Sequence, residues 1–296
     1  MKQIRLIPIL SFASLSLFSC DPDTKRANGY GNFEATEITI SAEQNGKLMT
    51  FTVQEGQELM KGTFVGIIDT IPLALKREQL VVSKEVIKSR SRGFMSQIAV
   101  LNAQLDAASV NKIRMVNLIR ENAGTQKQLD DIIGEMDIIK QQERSVEIQN
   151  LPVVKELKSL DVQIKEIEDQ IQRSKIINPI NGTVLVKYAE PNEITSFGRP
   201  LYKIADLNIM QLRVYISETQ LSSIKIGQEV NVKIDTNSEM ESFIGTIIWV
   251  AEKAEFTPKI IQTKEERVAL VYAVKIEVKN DGRLKIGMPA EFWINP

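Results

Sequence analysis

Histidine and cysteine, two residue types that often carry enzyme chemistry, are almost missing from this sequence. The chain has no histidine, which removes the commonest general base and the commonest metal ligand. Its single cysteine, Cys20, can form neither an internal disulfide nor a thiolate metal cluster. Catalysis would have to rest on carboxylates, lysine, tyrosine or a serine–lysine pair, and none of these shows a recognisable arrangement. We therefore predict no catalytic residues, no metal site, no cofactor and no enzymatic activity.

The single cysteine follows a leader-like segment. Lys2 and Arg5 precede an apolar run at residues 6–19, which is the layout of a signal peptide and is too short for a span of about 20 residues. Leu17-Phe18-Ser19-Cys20 resembles the lipobox of bacterial lipoproteins, which implies cleavage before Cys20 and acylation of that residue. Asp21 resembles the signal that retains enteric lipoproteins at the inner membrane. A free or buried cysteine after an ordinary signal peptide is the alternative.

The elements that would have to position any site are dominated by residues 73–174. Apolar residues recur there with the alternating spacing of three and four that is typical of a coiled-coil seam. A break at Asn122-Ala123-Gly124 divides the pattern in two, which predicts two antiparallel helices of about 45 residues each. The seam positions are Leu80, Ile87, Phe94, Ile98, Leu101, Leu105, Ala108, Met115 and Ile119 in the first arm, and Leu129, Ile132, Met136, Ile139, Val146, Val153, Leu157, Leu160, Ile164, Ile167 and Ile171 in the second. Pro152 is expected to kink or interrupt the second arm.

Two strand-like segments on either side of this hairpin repeat each other. Asn45-Gly46 and Asn181-Gly182 lie 136 positions apart, and Gly62 and Gly198 follow them at the same interval. Each half has an apolar face that it cannot bury alone, so we expect the halves to pack together. The hairpin is then an insertion within one small β-module.

A lipoyl- or biotinyl-like module split by a long hairpin resembles the hemolysin-D-like membrane fusion proteins, also called periplasmic adaptors. Residues 177–184 resemble the family's APFDG-V segment, with Asn178 in place of Ala and Ile180 in place of Phe. Residues 194–207 resemble a second family segment. Lipoyl and biotinyl carriers modify a lysine in an Asp-Lys-Ala or Met-Lys-Met triplet, which this sequence lacks, so a carrier subunit is disfavoured.

Three residues near the break in the hairpin resemble a docking motif of this family. Arg114, Leu118 and Thr125 match the Arg-Leu-Ser tip of adaptors that contact outer-membrane channels of the TolC type, with Thr in place of Ser. The resemblance implies that these residues face the channel. Local roles are also compatible with the sequence, because Thr125 and Gln128 form a capping-box pattern, Arg114 could be a solvated helix residue and Leu118 could serve local packing.

The C-terminal segment alternates apolar and polar residues in about six short runs, which predicts a small β-barrel. Several of its patterns resemble the barrel of the same family, and residues 256–272 resemble the subgroup that accompanies ABC-type efflux pumps.

Together these features predict an α+β multidomain protein, in which a long antiparallel coiled-coil hairpin is inserted in a split lipoyl/biotinyl-like β-module and followed by a small β-barrel. The expected segments are a signal peptide (1–19), a lipidated tether (20–37), the module (38–72 and 175–206), the hairpin (73–174) and the barrel (207–296). The resemblance implies a ring-forming periplasmic adaptor that is anchored to the inner membrane and links an inner-membrane transporter, most simply of the ABC type, to a TolC-type channel. A tethering lipoprotein without a transport partner is the alternative.

Overall fold

The computed structural model describes residues 27–236, 239–256 and 270–294. The chain divides into two compact units, Thr36–Leu207 (the hairpin unit) and Met1–Ala35 with Asn208–Pro296 (the barrel unit). Cys20 and the predicted signal peptide lie outside the described residues. The fold class predicted from the sequence is confirmed: two long helices form a hairpin between β-sheets, and a β-barrel follows.

The hairpin unit contains eight strands and two long helices. Its strands are β2 (Glu37–Ser41), β3 (Gly46–Phe51), β4 (Glu58–Leu59), β5 (Phe64–Ile68), β6 (Lys175–Ile177), β7 (Gly182–Lys187), β8 (Ile194–Thr195) and β9 (Pro200–Ala205). Helix α1 runs over Ile71–Arg120 and α2 over Gln126–Arg173, with 50 and 48 residues. At 1.5 Å per residue each arm is about 75 Å long, somewhat longer than the sequence predicted.

The seam of the hairpin lies where the apolar spacing placed it. Every predicted seam residue on both arms is buried or half-buried, whereas most of the remaining helix surface is exposed. Ion pairs join the arms across the seam, between Arg77 and Glu168 at 2.8 Å and between Lys84 and Asp161 at 2.6 Å. The numbers of facing residues therefore add to about 245, as antiparallel arms require.

One polar layer interrupts this apolar seam. Asn150 is buried at a seam position, and its Oδ1 accepts a hydrogen bond of 2.9 Å from Ser91 Oγ on the other arm. A buried asparagine in a coiled coil favours the one register in which it finds a polar partner. Pro152 lies two residues later, yet α2 runs through it unbroken, so the expected interruption is not seen. A single missing N–H removes one helix hydrogen bond, and the packed seam residues Asn150 and Val153 hold the helix on either side.

The β-module consists of two four-stranded sheets that each draw strands from both halves of the repeat. The strand orders are β2-β9-β7-β4 and β6-β5-β3-β8. Replacing every strand by its counterpart 136 positions away in the other half converts one order into the other. The halves are therefore interleaved, and neither could bury its apolar face by itself.

The repeat extends to individual hydrogen bonds. Asn181 Oδ1 accepts from the backbone N–H of Lys61 at 2.7 Å, and Asn45 Oδ1 accepts from the N–H of Phe197 at 2.8 Å. Each asparagine thus holds the turn of the opposite half. The turn glycines Gly62 and Gly198 have positive φ angles of 87° and 81°, a conformation that glycine adopts without steric cost.

A buried polar network lies inside the β-module. Asn178 and Tyr202 are both fully buried, and the Tyr202 hydroxyl donates to Asn178 Oδ1 at 3.0 Å. Asn178 Nδ2 donates to the carbonyl oxygens of Met60, at 3.0 Å, and Ile180. Burial raises the pKa of Tyr202 to about 12. Asn178, which stands where the resembling family has alanine, therefore supplies a hydrogen-bond partner to three polar groups around this buried position.

In the residues that the structure describes, the barrel unit contains seven strands and one short helix. The elements are β1 (Gly29–Glu34), β10 (Ile209–Ser217), α3 (Glu218–Leu221), β11 (Glu229–Asp235), β12 (Met240–Val250), β13 (Glu255–Phe256), β14 (Leu270–Lys279) and β15 (Pro289–Trp293). The strand order is β10-β1-β15-β11-β12-β14-β13, and pairing of β10 with β14 closes six of the strands into a barrel.

Strand β1 lies within residues 20–37, which we expected to be a lipidated tether. It pairs antiparallel with both β10 and β15, so residues 29–34 are an integral part of the barrel. Gly31 is required by packing, because a Cβ at this position would lie 1.8 Å from the carbonyl oxygen of Arg213. Glycine here permits a close approach of two strands.

Candidate functional site

The tip of the hairpin, which we define as residues 114–128, begins with a tightly closed helix end. Asn122 adopts a left-handed conformation with φ 58° just beyond α1. The N–H of Ala123 donates to the Leu118 carbonyl at 2.8 Å, and the N–H of Asn122 donates to the Ile119 carbonyl at 3.0 Å. This pair of bonds is the Schellman motif, which satisfies helix carbonyls that would otherwise lack partners. It fixes the direction in which the chain leaves α1.

Gly124 lets the turn fold back against α1. A Cβ at this position would lie 3.0 Å from Met115 Sδ, 3.2 Å from Ile119 Cγ1 and 3.3 Å from Leu118 Cβ. A side chain here would have to displace those neighbours. The sequence marked Gly124 only as part of a break in the pattern, because the neighbours that require a glycine are known only from the fold.

Thr125 begins the second helix. Its Oγ1 accepts from the N–H of Gln128 at 3.4 Å and donates to Gln128 Oε1 at 2.9 Å. The N–H of Thr125 donates to the same Oε1 at 2.9 Å, so the capping box predicted from the sequence is confirmed. Because the hydroxyl proton is already donated within the chain, Thr125 can offer a partner an acceptor lone pair rather than a donor.

Arg114 and Leu118 lie on the last two turns of α1, one helical turn apart. Arg114 is exposed, and its Nη1 donates to Asn111 Oδ1 on the preceding turn at 3.3 Å. Arg114 forms no ion pair within the described part of the chain, so its charge is available to a partner. Leu118 is half-buried beside Gly124.

The three residues of the predicted docking motif therefore lie at one end of the rod. Leu118 and Thr125 flank the closed turn, and Arg114 lies one turn behind Leu118. The tip offers a cation, an apolar side chain and a hydroxyl acceptor on a preformed backbone. These groups suit recognition of another protein's polar surface, and they form no arrangement of nucleophile and base. The remaining predicted site residue, Cys20, lies outside the described residues.

Two further surveys cover the described residues alone. No cluster of carboxylates and other metal-ligating side chains is found among them. None of the helices that the structure describes combines the length and apolar character needed to cross a membrane.

Comparison with curated proteins finds relatives that span nearly the whole chain. No family model matches it. The UPF0194 membrane protein in asrC 5'region of Acidithiobacillus ferridurans is 23% identical over 291 residues, covering 90% of this chain and 86% of the relative. The UPF0194 membrane protein of Citrobacter koseri is 25% identical over 289 residues, covering 88% and 86%.

Comparison with solved structures identifies the fold. MacA from Actinobacillus actinomycetemcomitans is similar with a TM-score of 0.55 and 21% identity, over 89% of this chain and 76% of that chain. The membrane fusion protein Spr0693 from Streptococcus pneumoniae R6 is similar with a TM-score of 0.52 and 14% identity, over 90% and 97%. The chain thus has the fold of membrane fusion proteins.

Proposed function

We propose that this protein is a periplasmic adaptor of a tripartite efflux or secretion system. It links an inner-membrane transporter of the ABC type to an outer-membrane channel of the TolC type, and it performs no catalysis itself. The observation that carries the proposal is the rod, about 75 Å long, whose two ends differ in structure. One end is held in an interleaved β-module, and the other presents a preformed polar tip. Likeness of fold to a protein described as a membrane fusion protein supports this proposal.

The mechanism is geometric, and it depends on a rigid root. The N–H of Ile68 donates to the carbonyl of Ser174 at 2.9 Å, which joins the two chain segments that lead into the hairpin. Asp69 Oδ1 accepts from the N–H of Ile71 at 2.9 Å at the start of α1. Ser174 is fully buried at the end of α2. Because both arms leave a packed module through these bonds, the module sets the direction of the rod.

At the tip, Arg114 would pair with an acidic or carbonyl-rich helix end of the channel, where cations are favoured. Leu118 would supply apolar contact, and Thr125 would accept a hydrogen bond. Copies of the chain would form a ring, so that several tips meet the channel together. Contacts within such a ring are heterologous, because a ring grows head to tail.

The anchor would be the acylated Cys20 at the periplasmic face of the inner membrane. Several acyl chains, each contributing about 0.8 kcal/mol per buried CH₂, hold a protein durably at a membrane. Replacement Cys20→Ser should move the protein from the membrane fraction to the soluble periplasmic fraction. Retention in the membrane would show that an uncleaved segment, and not a lipid, is the anchor.

The docking role is tested by placing an acidic residue at two positions of the tip. Arg114→Asp and Leu118→Asp should abolish export, measured as loss of drug tolerance in cells that depend on this chain. They should also abolish photo-crosslinking from a probe at position 125 to an outer-membrane channel. Arg114 is exposed and the half-buried Leu118 packs only against the closed turn, so helix content by circular dichroism should stay close to that of the wild type.

Lys127→Asp is the matched control, because it makes the same change of charge within the tip without touching the motif. It should leave export and crosslinking close to those of the wild type. Normal export by a well-expressed Arg114→Asp protein would refute the docking role. Loss of export by Lys127→Asp to the same extent would refute the assignment to these particular residues.

A further inference from the structure

The two ends of the barrel carry different side chains. We call the end at which β1 begins the entry end. The register of the sheet shows that β10, β12 and β15 end there and that β14 begins there. All five tryptophan and tyrosine residues of the barrel unit lie within two residues of a strand terminus at the entry end, and we call them the aromatic belt. They are Tyr30 on β1, Tyr215 on β10, Trp249 on β12, Tyr272 on β14 and Trp293 on β15.

The opposite end of the barrel has no such belt in the part of the chain that the structure describes. The strand termini at that end are Glu34, Ile209, Asp235, Met240, Lys279 and Pro289. Tryptophan and tyrosine have an apolar body and a polar tip, and they are enriched where the hydrocarbon of a bilayer meets its headgroups. Their collection at one end of the barrel therefore indicates a lipid-facing end.

Exposed apolar side chains lie next to the aromatic belt at the entry end. Phe256 is 74% exposed and Leu270 is 53% exposed. The two residues are directly opposite each other on β13 and β14, so their side chains lie side by side on one face of the sheet. Ile226, which precedes β11 at the same end, is 69% exposed. Large apolar side chains that are exposed together mark a surface for another molecule or for a membrane.

The chain enters the barrel at this same end, through Asn28. Its N–H donates to the Phe292 carbonyl at 2.8 Å, its Oδ1 accepts from the N–H of Ile294 at 2.8 Å, and its carbonyl accepts from Gln220 Nε2 at 2.7 Å. These hydrogen bonds fix the point of entry. Cys20 lies eight residues earlier in the sequence, and eight residues span at most about 28 Å. A lipid on Cys20 therefore holds the entry end within about 28 Å of the bilayer surface.

Charges at the entry end do not favour an anionic surface. Residues 218–229 and 251–256, which connect or extend strands at this end, contain four carboxylates and two lysines. They are Glu218, Glu229, Glu252, Glu255, Lys225 and Lys253. Arg213 pairs with Glu255 at 3.2 Å, which still leaves more negative than positive charge. Because anionic lipids attract basic segments, a contact with lipid here has to be made by apolar and aromatic side chains.

We propose that the entry end of the barrel lies in the headgroup layer of the membrane to which the chain is anchored. Phe256 and Leu270 reach the boundary between headgroups and acyl chains, and the aromatic belt lies at the level of the headgroups. This inference rests on the proposed anchor at Cys20. A few side chains are too little to hold a protein at a membrane by themselves, so the contact sets the orientation of a barrel that the lipid alone would only tether.

A fluorescent probe at position 256 tests the contact directly. Cys20 is the only cysteine and its thiol would carry an acyl group, so Phe256→Cys supplies the one thiol that an environment-sensitive dye can label. The labelled full-length lipoprotein is placed in vesicles of phosphatidylethanolamine and phosphatidylglycerol. The emission of the dye should shift to shorter wavelength, and lipids with a nitroxide in the upper acyl chain should quench it at least about twofold, because the dye lies at the acyl boundary.

Ile209→Cys is the matched control, because Ile209 is an exposed apolar residue at the opposite end of the same barrel. A dye at position 209 should keep its emission and should not be quenched by the same lipids. Equal quenching at the two positions, or no quenching at position 256, would overturn the proposal. The wild-type protein should take up no dye; labelling of Cys20 in the wild type would refute the lipid anchor itself, and with it the tether on which this inference rests.

The chain's own tryptophans test the contact without a dye, because both belong to the aromatic belt. Lipids with a nitroxide on the headgroup should quench tryptophan fluorescence of the anchored wild-type protein. Phe256→Ser with Leu270→Ser should reduce this quenching at least about twofold, since the barrel loses its apolar contact with the lipid. Ile209→Ser with Met240→Ser, which changes two exposed apolar residues at the opposite end, should leave it unchanged. Equal effects of the two double changes would contradict the proposal.

A protein partner at the entry end is the other outcome that the experiments can give. A dye at position 256 that is not quenched in vesicles, together with photo-crosslinking from that position to a membrane transporter in cells, would overturn the lipid contact. Export by a chain whose entry end is not quenched would refute only this contact. A quenched entry end in a chain that does not support export would refute the proposed function alone.

Discussion

Replacement of Asn178 by alanine should unfold the β-module locally, although alanine is the residue that the resembling family carries there. The change removes one acceptor and two donated hydrogen bonds from a fully buried position. The hydroxyl of Tyr202 and the carbonyl oxygen of Ile180 would then lose the partner that Asn178 supplies, whereas the Met60 carbonyl still accepts from the N–H of Thr63 at 3.2 Å. A buried polar group that loses its partner costs roughly 1–3 kcal/mol. Two such groups, partly relieved by relaxation, give a loss of roughly 2–4 kcal/mol.

The double-mutant cycle with Tyr202→Phe makes the prediction specific. Tyr202→Phe alone removes one donor and leaves Asn178 Oδ1 without that partner, which should cost roughly 1–2 kcal/mol. In the double variant neither side of that bond remains to be left unpaired. The loss of stability of the double variant should therefore be smaller than the sum of the two single losses, by about 1 kcal/mol or more.

The assay has to report on the module alone. Both tryptophans, Trp249 and Trp293, belong to the barrel unit, and the long helices dominate circular dichroism. Amide hydrogen exchange by mass spectrometry is suited to the purpose, because the N–H of Gly62 donates to the Asn178 carbonyl and the N–H of Asn178 donates to that of Thr63. Both amides should lose protection in Asn178→Ala.

Ser196→Ala is the control, since Ser196 is exposed on a turn of the same module. It should leave exchange in the module unchanged. If Asn178→Ala exchanged no faster than this control, or if the two losses were strictly additive, the buried network would not have the stabilising role described above.

Three further predictions follow from buried or closely packed groups. The pKa of Tyr202 is raised to about 12, so the folded state favours the neutral phenol. The contribution of this buried phenol to the free energy of unfolding is therefore complete below pH 10, and it falls by at most about 3 kcal/mol as the pH rises to 12. A tyrosinate absorbance titration should lose its latest step in Tyr202→Phe, and an unchanged curve would contradict the burial. Asn150→Leu should raise the melting temperature of the hairpin by circular dichroism, since a buried seam asparagine fixes register at a cost in stability; a lower melting temperature would show that the polar layer is stabilising. Gly134→Ala should stabilise α2 by about 1 kcal/mol because its Cβ meets nothing within 4 Å, whereas Gly124→Ala should bring no such gain and should raise amide exchange in the tip. Equal effects of the two changes in denaturant unfolding would refute the packing assigned to Gly124.

The seam of the hairpin could be predicted residue by residue, because it depends on a period that is local in sequence. Leu80 to Ile119 on one arm and Leu129 to Ile171 on the other needed only the spacing of apolar residues. The repeat could be predicted equally well, since Asn45 and Asn181 begin equivalent turns. The sequence did not show that each asparagine side chain would accept a hydrogen bond from the opposite half, because this arises only when the two sheets interleave.

The buried network and the first barrel strand were beyond sequence reasoning for a different reason. Asn178 follows no apolar period, and its partner Tyr202 lies 24 residues later in β9, which belongs to the other sheet. Gly31 lies in a short polar stretch, where glycine reads as flexibility unless the neighbouring strand is known. In both cases the meaning of a residue was set by a contact distant in sequence.

The sequence predicted where the candidate site lies better than it predicted which groups the site can offer a partner. The break in the heptads placed Arg114, Leu118 and Thr125 near one end of the rod. That the hydroxyl of Thr125 is already a donor to Gln128 required the folded turn. The docking roles themselves remain predictions of the proposal.

The closed root of the hairpin has a consequence for how such proteins can evolve. Because Ile68 and Ser174 are joined by a hydrogen bond, the chain leaves and re-enters the β-module at two neighbouring points, whatever the length of the hairpin between them. Removal of one heptad from each arm at the same level would shorten the rod by about 10 Å while both its tip and its base kept their structures. Removal of a heptad from α2 alone, between the tip and Asn150, would shift the register and move Asn150 from Ser91 to the apolar Ile98. Reach across a compartment is therefore a trait that can change in steps of paired heptads, independently of what either end binds.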